Sequence, residues 1–364
     1  MGIWPAIEHK VAASLIIRKD ERPGAMRIAV LLLVVGVALA TGLVAWFDAG
    51  AILETLVAMG WAGFVVVCGF HLCLIAVNGV AWHVLTPDIA PRRWPIFVWA
   101  RLVRAAAAEV LPLSQLGGPA AGIRLAILHG VPAAVAAAAV IVDVALEFLT
   151  QLAYGVIGLF LLVTARPATE LLWPAAVWIL VAAGLCAAFF VLQRRGTRLL
   201  ERFEPLIARH FSTALPGKVE SVTAALARIH ADRRRLAIAA LLHFVEWLAT
   251  GAEAWLALQL MNVPISFSAA TGLEALLYAV RSVAFMVPLA AGIQEGGYLL
   301  VGAAFGLAPD QALALSLLKR GRDLALGVPA LLGWQVLEGG HWWRGRGTSL
   351  RPASPPEHDE GAGY

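Results

Sequence analysis

Runs of about 20 apolar residues recur along the whole chain and restrict it to structures that a lipid bilayer can hold. Its 364 residues are 60% hydrophobic and 14% charged, and the mean hydropathy is +0.79. These values lie outside the usual range for a soluble domain of this size. The first run, residues 27–47, is long enough for a full span, which favours a retained helix over a signal peptide. The sequence therefore predicts an all-α integral membrane protein.

The placement of Lys and Arg predicts which ends of the spans face the cytoplasm. Four basic residues precede the first run, whereas the loop 48–60 has none. A second span, residues 61–85, leads to Arg92 and Arg93, and residues 193–235 hold ten Lys or Arg against four Asp or Glu. The N-terminus, the stretch around Arg92 and the 193–235 segment are therefore expected in the cytoplasm.

These signals divide the chain into three parts. Residues 1–26 form a cytoplasmic N-terminal segment, 27–338 a transmembrane domain, and 339–364 a disordered cytoplasmic tail rich in Pro and Gly. Within the domain, 171–192 and 236–260 are predicted spans on either side of the cytoplasmic amphipathic loop 193–235. Apolar residues at helical spacing over 199–211 indicate a helix on the membrane surface or in a small cytosolic subdomain.

Two stretches, 94–163 and 267–337, align when the second is shifted by 176 residues. Pro112 then falls on Pro288, Gly130 on Gly306, and Glu147 on Asp323. Each stretch has an apolar arm containing an arginine, a Pro- and Gly-rich break, a short apolar return that ends in Gly, and a long helix. The first stretch begins on the cytoplasmic side and the second on the exterior side, which is the inverted-repeat arrangement of many transporters.

The expected fold is a polytopic helix bundle of six to eight transmembrane segments, with two inverted repeats that each contain a re-entrant hairpin. Six spans with two hairpins and eight plain spans both place the two termini in the cytoplasm. Open backbone at membrane depth needs cover from protein or water. Both versions therefore predict that "LPLSQLGG" (111–118) and "PLAAGIQEGG" (288–297) face an interior cavity, where the glycines would let a head group approach the backbone.

Charged side chains within apolar helices cost about 2.5–3.5 kcal/mol each at mid-span, so they must face partners, water or an interface. The arginines and Lys319 would donate to phosphate or hydroxyl groups, while Asp143, Glu147 and Glu295 would receive an ammonium or hydroxyl group or carry protons. The predicted substrate-binding residues, including the glutamine at each break, are Arg104, Gln115, Asp143, Glu147, Arg281, Gln294, Glu295, Lys319, Arg320, Arg322 and Asp323. The alternative is structural ion pairing, since acids and bases in these helices are nearly balanced.

Several functional classes lack their sequence signals. His71, His83 and His243 stand isolated in apolar helices, and the three cysteines have no metal-type spacing. No P-loop, G-x-S-x-G elbow or dinucleotide fingerprint occurs. We therefore expect no metal, no cofactor and no nucleic acid partner.

The motifs "VPLAAGIQEGG", "LLKRGRD", "LPLSQLGGPAAGIRL" and "DVALEF" resemble flippase-like proteins related to the transmembrane region of lysylphosphatidylglycerol synthase. Within that group the chain looks most like the branch associated with hopanoid biosynthesis. The resemblance implies a bacterial inner-membrane protein whose partner is a lipid, hopanoid or phospholipid, with hopanoid biosynthesis or transport proteins nearby. The soluble aminoacyl-transferase domain of the full synthase has no counterpart, which argues against lipid aminoacylation.

The expected function is therefore translocation of a polar lipid between leaflets or out of the inner membrane, without enzymatic activity. Two alternatives stay open. One is an intramembrane lipid-modifying enzyme, a transferase or phosphatase that uses the same carboxylates as acid and base. The other is a non-transporting scaffold of a hopanoid biosynthesis complex.

Overall fold

The computed structural model describes residues 45–86, 91–110, 114–165, 218–283 and 290–349, with a few single positions between 34 and 43 and at 89 and 184. Over these ranges the secondary structure is helical and contains no strand, which confirms the all-α class. The predicted span 171–192, the predicted helix 199–211 and most of the first predicted span lie outside the described residues.

The described ranges contain nine α-helices. They are α1 (Ala49–Val84), α2 (Trp94–Val110), α3 (Ser114–Leu128), α4 (Ala133–Ala165), α5 (Lys218–Ala231), α6 (Arg233–Leu260), α7 (Phe267–Val283), α8 (Ile293–Ala304) and α9 (Pro309–Ser349). Among the described residues, α1, α4 and α6 are long and apolar enough to cross a membrane. Their length and composition indicate a helical membrane protein.

The first described helix starts earlier than its sequence suggests. Residues 49–59, predicted as part of a loop, are helical. The Asp48 carboxylate accepts hydrogen bonds from the backbone N–H groups of Gly50 and Ala51, which caps the helix start. The break falls at Gly60 instead, where φ is 65°. A glycine adopts this left-handed value without a Cβ penalty, so α1 kinks there and continues as the predicted second span.

The last helix runs further than predicted. It continues through Ser349, so residues 339–349 are helical where the sequence predicts the start of a disordered tail. No proline occurs between Pro329 and Pro352, and each of the four glycines in 339–349 is a weaker barrier to helix continuation than a proline.

Two helix triplets, α2–α3–α4 and α7–α8–α9, share the length of their first helix and the turn after their second helix. The arms α2 and α7 each have 17 residues. The turns after α3 and α8 contain Gly130 at φ 82° and Gly306 at φ 88°. The N–H of Val131 bonds the carbonyl of Ala126, and that of Leu307 bonds the carbonyl of Gly302. The turn positions are offset by 176 residues and the arms by 173, and the same helix-ending motif closes both turns.

The breaks between arm and return helix are shorter than the sequence indicates. The returns begin at Ser114 and Ile293, so the glycine pairs 117–118 and 296–297 are helical and do not form open tips. A Cβ on Gly118 would lie 2.7 Å from the Arg104 carbonyl oxygen, and one on Gly297 would lie 2.8 Å from the Leu277 side chain. These two glycines allow each return to pack closely on its own arm.

The two triplets pack reciprocally. Helix α4 packs on the arm α7, and α9 packs on the arm α2, while α1 and α6 pack on each other. One apolar core joins Trp82, near the end of α1, to Ala239, near the start of α6. A second core joins Ile52, near the start of α1, to Leu258, near the end of α6. These two helices are therefore antiparallel, with one triplet packed at each end of the pair.

Candidate functional site

A cavity of about 390 Å³ lies where the two triplets meet α1 and α6. Apolar side chains such as Leu102, Phe148 and Leu326 form part of its wall, and Asn78, Gln151 and Ser282 add neutral polar groups. Its charged lining consists of Arg101, Arg104, Glu109, Glu147, Glu246, Arg281, Arg322 and Asp323. Four acidic and four basic side chains thus surround one space inside an apolar bundle.

The arginines of α2 and the acids of α4 form one group of ion pairs. Arg101 and Arg104 lie one helical turn apart on α2, and Asp143 and Glu147 lie one turn apart on α4. The Arg101 Nη1 and Nη2 atoms donate to the two Glu147 oxygens at 2.9 and 2.5 Å. Arg104 donates to Asp143 at 2.5 Å and to Glu147 at 2.7 Å. The planar guanidinium suits this bidentate geometry, and each acid offsets the burial cost of the bases.

His243 connects this group to α1. Its Nε2 lies 2.9 Å from the Asp143 carboxylate, and its Nδ1 lies 2.9 Å from the Asn78 side-chain oxygen. The imidazole is fully buried. His71 similarly lies 3.3 Å from Glu253. Both histidines look isolated in the sequence, because their partners lie 100 or more residues away along the chain.

Helix α9 supplies a second group of ion pairs. Lys319 donates to Glu274 at 2.5 Å, and the Tyr298 hydroxyl donates to the same carboxylate at 2.8 Å. Arg322 donates to Glu253 at 2.5 Å and to its neighbour Asp323 at 2.7 Å. The charges in the middle of α9 therefore contact α6 and α7, which explains how an otherwise apolar helix carries them through the bundle.

Glu295 occupies a closed position behind the cavity. Its carboxylate is fully buried and accepts hydrogen bonds from Arg320 Nε at 2.5 Å and from the Gly292 N–H at 2.9 Å. The Ser316 hydroxyl donates to it at 3.3 Å. It does not line the 390 Å³ cavity. Glu295 thus caps the start of α8 and fastens that helix to α9.

A further ion pair joins the two triplets across the cavity wall. Arg281 of α7 donates to Glu109 of α2 at 2.7 Å. Side-chain exposure is 19% for Arg281 and 30% for Glu109, so this pair is more accessible than those behind it. Both residues lie within two residues of the end of their arms.

The predicted site residues separate into three sets. Those that line the cavity are Arg104, Glu147, Arg281, Arg322 and Asp323. Those paired behind its wall are Asp143, Lys319, Glu295, Gln294 and Arg320, of which the last two line a smaller adjoining cavity of about 100 Å³. Gln115 lies on α3, but its side chain is outside the described residues.

Three charged lining residues, Arg101, Glu109 and Glu246, are absent from the predicted set. The spacing of Arg101 before Arg104 and of Glu246 after His243 gives a partial signal, since residues three apart share a helix face. Glu246 is only 8% exposed, and within the described residues no Lys, Arg or His nitrogen lies within 4.0 Å of it. Arg101 Nε has no hydrogen-bond partner among the described side chains and backbone.

The family model described as "Lysylphosphatidylglycerol synthase TM region" matches residues 33–333. The chain belongs to this family. The match includes α1 to α8 and the part of α9 that lines the cavity, so the lysylphosphatidylglycerol synthase transmembrane region contains the whole site. No curated protein matches the chain. Membership places the charged cavity in a membrane protein with a lipid-related function.

Proposed function

We propose that this protein moves a polar lipid between the leaflets of a membrane. The observation that carries the proposal is the cavity of about 390 Å³, lined by eight charged side chains within an apolar bundle. A head group pays a large desolvation cost in the hydrocarbon layer, and a charged cavity replaces the water that it loses. The lipid body would stay among the apolar side chains on the cavity rim and in the bilayer.

The charges of the cavity favour a head group that donates hydrogen bonds. Four arginines and four carboxylates line the cavity. Two more carboxylates, Asp143 and Glu253, contact these arginines from behind the wall, which makes six in all. These carboxylates outnumber the arginines by two (six minus four), leaving aside His71 and His243, which contact Glu253 and Asp143. A head group that carries hydroxyl or ammonium groups suits this surplus better than one that offers only a phosphate. Hydroxylated hopanoids and phospholipids with hydroxyl or amine head groups are the proposed substrates.

We propose an inverted repeat as the architecture that carries this movement. The matching turns at Gly130 and Gly306 and the reciprocal packing of α4 on α7 and α9 on α2 support it. At 1.5 Å per residue, each 17-residue arm is about 26 Å long, shorter than a bilayer core of about 30 Å. Arms of this length suit re-entrant hairpins. The proposed topology therefore has six full spans and two hairpins, with both termini in the cytoplasm. The proposed location is a bacterial inner membrane.

We further propose that the protein moves the lipid without altering it, in contact with proteins that make or carry hopanoids. Incubation with a head-group-labelled lipid would then leave that lipid chemically intact. Release of the labelled head group, measured by chromatography, would favour a transferase or phosphatase instead.

The test uses purified protein in vesicles that contain a fluorescent head-group-labelled phosphatidylethanolamine or a labelled hydroxylated hopanoid. A membrane-impermeant quencher reports the fraction of label in the outer leaflet. We expect wild-type protein to move at least one of these lipids faster than empty vesicles. Arg281→Gln should slow the movement about tenfold, because a charge-assisted hydrogen bond at the cavity contributes about 1.5–3 kcal/mol.

Glu338→Gln is the matched control. Glu338 pairs with Arg124 away from the cavity, with 37% of its side chain exposed, so this variant should move lipid at the wild-type rate. Equal rates for wild-type and empty vesicles with both labelled lipids would contradict the proposed function.

A further inference from the structure

Glu246 differs from the other acidic side chains of the cavity. Glu109, Glu147 and Asp323 each contact a guanidinium at 2.5–2.7 Å. Glu246 also lines the cavity and is 8% exposed, but it has no ion pair within 4.0 Å in the described part of the chain. A carboxylate buried at membrane depth needs a counter-charge or a proton. Glu246 is therefore the lining carboxylate whose charge is least committed to the bundle.

Protonation has a different structural cost at each of these acids. A proton on Glu147 would remove the charge that holds both Arg101 and Arg104, and two buried guanidinium groups would lose a partner. A proton on Glu246 breaks no ion pair among the described residues. The cavity thus contains one acid that can gain and lose a proton while the surrounding network stays intact.

Charged or titratable side chains of α1, α2, α4, α7 and α9 line the same cavity as Glu246, and Arg101, Glu147 and His243 act on its charge most directly. The lining groups are His71 of α1, Arg101, Arg104 and Glu109 of α2, Glu147 of α4, Tyr278 and Arg281 of α7, and Arg322 and Asp323 of α9, with Asn78 of α1 as a neutral polar group. His243 lies one turn before Glu246 on α6. Helix α5 contributes no lining residue to the described cavity. Arg101 attracts the Glu246 carboxylate electrostatically, and its Nε has no hydrogen-bond acceptor in the described residues.

We propose that Glu246 binds a coupling proton and that the protein exchanges this proton for the lipid. The proposal rests on the proposed function. A head-group hydroxyl or ammonium and a proton compete for the same carboxylate, so the cavity holds one or the other. The proton binds a Glu246 oxygen from one side of the membrane and leaves from it to the opposite side, and no covalent bond of the lipid changes. Lipid therefore moves toward the side from which the protons enter.

The experiment measures the steady-state distribution of the labelled lipid under a proton gradient. Wild-type protein, Glu246→Gln and the control Glu338→Gln are placed in vesicles with the membrane potential clamped by potassium and valinomycin. One pH unit corresponds to about 1.4 kcal/mol per proton, so one-for-one exchange shifts the leaflet ratio by about tenfold. We expect wild-type and Glu338→Gln vesicles to accumulate label in the leaflet that faces the acidic side, and Glu246→Gln vesicles to show no shift.

Two results would overturn the exchange. One is a wild-type leaflet ratio that does not respond to the gradient although lipid still moves, which leaves translocation standing as passive scrambling. The other is a Glu246→Gln variant that shifts the ratio as wild type does.

Infrared difference spectra between alkaline and acidic buffer test the proton site independently of transport. Subtracting the Glu246→Gln spectrum from that of wild type or of Glu338→Gln should leave the carbonyl stretch of one protonated carboxyl group, and a subtraction that leaves no such band would also overturn the proposal.

Discussion

Single side chains in this bundle are stabilised mainly by partners on other helices. Glu147 is the clearest example, because it accepts from Arg101 and Arg104 at once. Removing its charge leaves both guanidinium groups, 8% and 7% exposed as whole residues, short of a counter-ion. We expect Glu147→Gln to lower the free energy of unfolding by about 3–5 kcal/mol, measured by denaturation in bicelles.

The matched comparison is again Glu338→Gln, which breaks a partly exposed pair with Arg124. Exposed pairs contribute about 0–1 kcal/mol, so this variant should unfold close to wild type. A Glu147→Gln protein as stable as Glu338→Gln would show that the α2–α4 ion pairs are not needed for folding.

Glu295 is predicted from the sequence to bind a head group, but its observed contacts are those of a helix cap and an interhelical ion pair. We expect Glu295→Gln and Arg320→Gln each to destabilise the protein by about 3–5 kcal/mol. The double variant should cost less than the sum, because each single change already breaks the same pair. Thermal unfolding of the four proteins in one detergent measures this coupling. Additive costs would argue that the two side chains act independently.

At the level of helices, the turns at Gly130 and Gly306 perform the same task in the two triplets. Both glycines have φ above 80°, a value that costs other residues about 1–2 kcal/mol. A Cβ at either position would meet no atom closer than 3.7 Å. The penalty of Gly130→Ala or Gly306→Ala is therefore conformational, and both variants should lose about 1–2 kcal/mol of unfolding free energy.

Gly296→Ala provides the opposite case. This glycine lies inside α8, and a Cβ there would meet no atom within 4 Å. Alanine has the higher helix propensity, so this change should leave stability unchanged or raise it by up to about 1 kcal/mol. Equal losses at all three positions would indicate that glycine is required for a reason other than backbone conformation.

Helices were predictable from the sequence wherever the apolar pattern and the turn residues agreed. The long helices predicted at 132–163 and from 309 match α4 and α9 at their starts, because a proline or a left-handed glycine precedes each one. The first turns of α1 were missed, because their start depends on the Asp48 cap and not on apolarity. The breaks were predicted too long, since the glycines at 118 and 297 serve helix packing.

The site was predictable only as a set of charges. Helical spacing places Asp143 and Glu147 on one face, yet no spacing rule reveals that Asp143 also contacts His243, 100 residues later. Which charges line the cavity and which lie behind it depends on how the two triplets dock. That docking placed Glu295 behind the wall and Glu246 on it.

Over the whole molecule, the antiparallel pair α1 and α6 carries one triplet at each end, and the cavity lies between them. The Glu109–Arg281 contact is an ion pair that joins one triplet to the other at the cavity. If the triplets move against each other during transport, this contact must change. Its partial exposure makes that change less costly than separating the buried pairs.

The inverted arrangement predicts that corresponding helix starts face opposite sides of the membrane. Ala133 and Pro309 are the first residues of α4 and α9, both are exposed, and they are 176 residues apart. In a background with Cys68, Cys73 and Cys186 replaced by serine, we expect a membrane-impermeant maleimide to label Pro309→Cys in intact cells. Ala133→Cys should be labelled only after permeabilisation, because its turn lies at the end of the bundle that contains Arg92 and Arg93. Labelling of both cysteines from the same side would show that the two triplets enter the membrane in parallel, and the inverted repeat would then be wrong.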